Sequence, residues 1–86
     1  MVSRTAMLKD HLAREAERLQ NDEIFAKALA DIRSEALDSL AVANADNYAD
    51  IVRLQQRVAV IDEIRATLAR YIIAGGQMQE DPGSFA

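Results

Sequence analysis

At 86 residues, half of them apolar but only 5% aromatic, the chain suffices for one small domain and offers a modest core. It contains no cysteine, which excludes disulfides and thiolate metal sites, and no run approaches the ~18 apolar residues that span a bilayer. The net charge of −4 does not suit the wrapping of a phosphate backbone, so direct nucleic-acid binding is not expected, and without a spanning run neither is a membrane protein.

Residues 1–10 hold no apolar stretch of a secretory signal, and a cytoplasmic protein is expected. The first glycine is Gly75 and the one proline is Pro82, so 74 residues pass without a strong helix breaker. They are rich in Ala, Leu, Arg, Glu and Asp, and no stretch alternates with a period of two.

A first helix is expected over about 3–20, with Ser3 as a possible cap and a stripe of Leu8, Leu12, Ala16 and Leu19. That stripe does not keep the register of the second helix. Heptads run back from Phe25 and Leu29 land on Arg18 and Asp22, so a bend at Gln20-Asn21-Asp22, or a loosely docked N-terminal helix, is expected. The second helix spans about 23–43. Its stripe is Phe25, Leu29, Ile32, Ala36, Leu40 and Ala43, and Asn21 or Asp22 supplies the cap. Ala45-Asp46-Asn47 reads as a short connection, which sets the next helix antiparallel to this one.

The third helix, about 47–74, has the clearest pattern. Ile51, Leu54, Val58, Ile61, Leu68 and Ile72 alternate a and d heptad positions, interrupted by Arg65. Asp46 or Asn47 is its expected cap, Arg70 suits a last turn, and Gly75 reads as the left-handed residue that stops it. The expected fold is all-α. An antiparallel helical hairpin, coiled-coil-like, occupies 23–74, an additional N-terminal helix completes one helical domain over 1–76, and a mobile tail is expected at 77–86.

Charge is unevenly placed: +1 over residues 1–20, −5 over 21–50, +2 over 51–74 and −2 over 75–86. Glu23, Asp31, Glu35 and Asp38 make the second helix acidic, while Arg53, Arg57, Arg65 and Arg70 make the third basic. Opposed charges beside an apolar seam are expected to orient the two arms against each other. Ile24 and Leu37 on one arm and Ile64 and Tyr71 on the other lie beside that seam, and Val52, Val60 and Ile73 widen it. An arc this wide needs more than one neighbour, a place that the N-terminal helix or another subunit could fill. A homo-oligomer or an obligate protein partner is therefore expected, with Ile24, Leu37, Val60, Ile64, Tyr71, Met78 and Phe85 as candidate interface residues.

No catalytic constellation is legible. His11 is the one histidine, and with Glu15 it makes two ligands where zinc needs three or four. Asp31, Glu35 and Asp38, at i, i+4 and i+7, read first as a solvated face. Arg53 and Arg57 read as salt-bridging residues, with Asp50 three positions before Arg53. Gly75-Gly76 has no strand before it and no lysine after it, so it is not a phosphate loop. No enzyme activity, cofactor, metal or small-molecule substrate is expected.

The segments Asp22-Glu23-Ile24-Phe25, Ala28-Leu29 and Ile32-Arg33, with Val60-Ile61-Asp62-Glu63-Ile64-Arg65, Leu68 and Gly75, carry a resemblance over about residues 19–76. Their order resembles small helical proteins encoded near the head and packaging genes of tailed bacteriophages. It is also similar to the helical-hairpin oligomerisation core of phage small terminase subunits. The resemblance implies a virion or DNA-packaging component that acts through helix packing. No helix-turn-helix precedes the core here, a departure that bears against DNA recognition. The expected function is a non-enzymatic structural or assembly protein. The alternative is an acidic adaptor or inhibitor that mimics nucleic acid on another macromolecule.

Overall fold

The computed structural model describes the backbone of residues 4–79 and the side-chain surroundings of residues 8–75. Within them the chain is all-α, with three helices: α1 Arg4–Gln20, α2 Glu23–Ala41 and α3 Tyr48–Gln79. Local chemistry sets the boundaries. Asp22 accepts the Phe25 N–H at 2.8 Å, which caps α2, and Asn47 Oδ1 accepts the Asp50 N–H at 3.3 Å, which caps α3. Between α2 and α3, Asn44 folds the connection. Its side chain accepts the Asp46 N–H at 3.0 Å and its carbonyl accepts the Asn47 N–H at 2.9 Å.

The α3 rod serves as the spine. It has 32 residues, about 48 Å at 1.5 Å per residue, in a molecule 60 Å long. The other two helices lie end to end beside it and touch each other little. Arg33 of α2 pairs with Asp62, and Phe25 and Leu29 share a groove with Arg65 and Leu68. Further along, Leu12 of α1 sits with Tyr71 and Ala74, and Ala13 meets Gly75. The hairpin is therefore longer than the expected 23–74. Its first arm is α1 and α2 in tandem, broken at Asn21-Asp22, where the Asp22 N–H turns back to the Leu19 carbonyl at 3.1 Å.

Gly75 does not end α3. The helix continues through it to Gln79, and no described glycine has a positive φ. Residues 77–79, expected in the tail, thus belong to α3, Arg70 lies inside the helix, and the rest of that segment, with Phe85, lies outside the described residues. The glycine serves packing. A Cβ added at Gly75 would overlap the Cβ of Ala13 and lie 3.4 Å from the Lys9 carbonyl oxygen. The missing side chain lets α1 and α3 approach more extensively than any other pair of helices here.

The expected face of α1 holds at Ala16, which is buried, and at Leu19, which is half-buried, but not at its start. Ala13 and Ala16 are buried, whereas Leu8 and Leu12, the start of the expected stripe, remain exposed. Small residues bring two backbones together, and larger side chains then splay to the rim. Leu29, Ala36, Leu54 and Ile61 complete the buried apolar set among the described residues, and no large side chain is fully buried.

Charge pairing between the arms also differs from expectation. The cross-helix ion pair joins Arg33 of the acidic arm to Asp62 of the basic arm, Nε to Oδ1 at 2.8 Å. Asp31 is instead held by Lys27 on its own helix at 2.8 Å, and Arg53 by Asp50 at 3.3 Å. Neighbours one turn away win because helix geometry brings them into reach without ordering a second element.

The hydrogen bond from Arg33 holds the Asp62 carboxyl below the usual carboxylate range, and the same pair raises the Arg33 guanidinium. A depressed carboxylate stabilises the fold above its unfolded pKa and loses that contribution as pH falls through the folded value. Both groups are solvent-exposed, so the contribution is small and screened by salt. Asp62→Asn is expected to lower the melting midpoint slightly at neutral pH, with the gap to the parent closing below the ordinary carboxylate range. A gap that persists unchanged into acid would contradict the pairing.

Candidate interaction surface

On α3 the buried residues Leu54, Ile61 and Gly75, with half-buried Leu68 between them, recur every seven positions and face α1 and α2. With 3.6 residues per turn, successive residues fall on either side of such a seam. One flank carries Arg65 and Asp62. There Arg65 shares a groove with Ala30, Arg33, Ser34 and Leu37, so this side is polar and partly closed by the Arg33–Asp62 pair.

The other flank carries Val60, Ile64, Thr67, Tyr71 and Ala74, spaced by four, three, four and three residues. That spacing is a second apolar stripe, parallel to the first. Val60 is 52% and Tyr71 41% exposed, while Ile64, Thr67 and Ala74 are half-buried. Leu12 reaches this flank from α1, forming with Lys9, Tyr71 and Ala74 a groove of about 190 Å³ whose walls are almost wholly apolar.

The structure thus divides the expected interface residues. Val60, Ile64 and Tyr71 share one face. Leu37, 42% exposed, lies in the Arg65 groove on the other side. Ile24 projects at the start of α2, 77% exposed, just after the bend. Met78 lies in α3, with its side chain outside the described surroundings, and Phe85 lies outside the described residues. Sequence reasoning misses Leu12, Thr67 and Ala74 as surface residues. The signal for the last two is present, because both continue the spacing of Val60, Ile64 and Tyr71. Leu12 reads from its spacing as a seam residue, and its place at the rim is a consequence of the Ala13–Gly75 approach.

The polar candidates form no reactive grouping. Glu15 is engaged by Arg18 at 3.2 Å, and that hydrogen bond lowers its carboxyl pKa. Glu35 and Asp38 are exposed on α2. Arg53 and Arg57 line an open groove of about 310 Å³ with Ser39, Asn44, Asn47 and Asp50, where Asp50 engages Arg53. Among the described residues no group of three or more His, Cys, Asp or Glu side chains is placed to hold a metal ion. No described helix is long and apolar enough to cross a membrane.

Comparisons of the chain with protein-family models, curated proteins and solved structures find no match. Its functional reading therefore rests on this geometry.

Proposed function

We propose that the chain is a non-enzymatic structural or assembly protein that self-associates through helix packing. A bacteriophage virion or DNA-packaging component is the setting its sequence resemblance suggests. One observation carries the reading: the described core holds just three large apolar side chains, Leu29, Leu54 and Ile61, with three alanines, while a stripe on α3 keeps Val60 and Tyr71 exposed and Ile64, Thr67 and Ala74 half-buried. Two helical layers bury each side chain from one side. Ordering the backbone costs about 1–2 kcal/mol per residue, so covering the stripe is a direct source of further stability. A contiguous apolar face, unlike scattered exposed leucines, marks an interaction surface.

Sedimentation at micromolar concentration tests this. A mass at a multiple of 9.5 kDa supports assembly, and a well-folded 9.5 kDa species with a cooperative melt overturns it. The second reading, an acidic adaptor or inhibitor, draws on the exposure of Asp31, Glu35 and Asp38 on α2. Replacing all three with lysine separates the two: under the adaptor reading partner binding is lost while the fold stays, and unchanged binding removes that reading. Under the leading reading the sedimenting mass and helical content stay unchanged, because these side chains lie outside the apolar stripe. A triple variant that folds but no longer assembles would place the interface on the acidic helix instead.

A further inference from the structure

We infer that Arg65 commits the seam of α3 to the broken arm of its own chain, by making that seam unfit for an unbroken helix such as the α3 of a second copy.

Arg65 occupies a seam position. Ile51, Val58 and Ile72 stand with it at seven-residue intervals, beside the row of Leu54, Ile61 and Leu68. All six apolar residues are buried or half-buried, whereas Arg65 is exposed. An apolar residue at 65 would make the stripe continuous from Ile51 to Ile72, the pattern that pairs one long helix with another.

The break in the first arm is what lets a guanidinium sit there. Gln20 ends α1 and Phe25 lies in the first turn of α2, and with Arg65 and Leu68 they line a cavity of about 150 Å³. On α2 the neighbours of Arg65 include the small residues Ala26 and Ala30. The second of these borders an open groove of about 290 Å³, which Arg65 also lines. The arm thus thins opposite Arg65, and the charge reaches water. The side chain makes no hydrogen bond or ion pair of its own among the described residues, since the Asp62 carboxylate gives its short contacts to Arg33. In the hairpin an exposed guanidinium of this kind costs little.

An unbroken helix offers no such opening. α3 itself runs for 32 residues without a break. Laid on the seam in parallel register, a second α3 brings Arg65 against Arg65. Laid antiparallel, it covers the guanidinium with apolar residues of the stripe. Both arrangements carry a penalty that the hairpin escapes, either like-charge repulsion or burial of an unpaired charge. One polar residue in an apolar seam can fix the choice of partner in this way, at some cost in stability, and the selectivity comes from what the wrong pairing suffers.

Arg65→Leu, Arg65→Lys and the control Arg70→Leu, which makes the same change on α3 outside the seam, are compared with the parent chain at equal micromolar concentration. Sedimentation velocity reads the mass, and helical circular dichroism reads the melt. Arg65→Leu is expected to stay helical, to melt higher than the parent and to move at least half of the chain into species larger than the parent's. Arg65→Lys keeps the charge and is expected to sediment as the parent does, as is Arg70→Leu. An Arg65→Leu chain with the parent's mass, or one that melts lower, overturns the inference. Enlargement of Arg65→Lys to the same extent would show that charge is not the determinant, and the same enlargement of Arg70→Leu would show that any added leucine suffices; each overturns it too. The parent's own mass tests the self-association reading separately.

Discussion

Ile61→Ala is expected to lower the unfolding free energy by about 2–5 kcal/mol, enough to strip most of a small domain's stability. Ile61 is 4% exposed at the middle of the α3 seam and is one of three large side chains in the described core. In a thick core, neighbours relax into part of the cavity. Here one layer of helix covers the seam, and half of the buried apolar residues of the described core are alanines, which have little reach to fill the space. The adjacent Val60→Ala serves as the contrast, because Val60 is half exposed on the stripe. It is expected to change folding little at fixed protein concentration and to weaken association instead. Urea unfolding monitored by helical circular dichroism measures both. A loss below about 1 kcal/mol for Ile61→Ala would mean that the seam is not where the hairpin is held.

Gly75→Ala is expected to destabilise the chain although alanine is the better helix former by about 1 kcal/mol. If Gly75 merely stopped a helix, alanine would cost the left-handed conformation alone, and Ala13 would be indifferent to it. In the structure Gly75 lies within α3, where an added Cβ would overlap the Cβ of Ala13, so a methyl group forces α1 and α3 apart. Overpacking of this kind costs about 1–3 kcal/mol, which exceeds the gain in propensity. The signature is coupling: Ala13→Gly, destabilising alone, should recover much of the loss when combined with Gly75→Ala. A double-mutant cycle by thermal melting reads it. Additive effects, or a more stable Gly75→Ala, would rule out the close approach.

These positions also show where sequence reasoning reaches and where it stops. Ile51 to Ile72 declare their helix through spacing alone, and Asp22 and Asn47 act as caps because their side chains satisfy local N–H groups. Such features depend on neighbours along the chain. Gly75 does not. Its φ is not positive, and the residue packed against it, Ala13, lies far away in the sequence, so nothing within four residues records that contact. The start of the α1 stripe misleads for the same reason. Leucines outrank alanines in a hydrophobic pattern, yet Ala13, outside the expected stripe, is what the glycine meets, while Leu8 and Leu12 stay exposed. Arg33–Asp62 escapes because net charge per helix says nothing about which two side chains lie opposite. On the surface, Val60, Ile64 and Tyr71 are legible as apolar residues beside the seam. Their separation from Leu37 is not, because it depends on which side of α3 each arm leaves open.

The central claim is that this hairpin completes its hydrophobic burial by association. Thermal unfolding of the full chain over a wide range of protein concentration tests it most directly, since association with the folded state shifts the midpoint by mass action. The expected result is a midpoint that climbs by several degrees as concentration rises from the low to the high micromolar range. A sharp transition at one temperature throughout that range would show that the monomer folds unaided, and would contradict it.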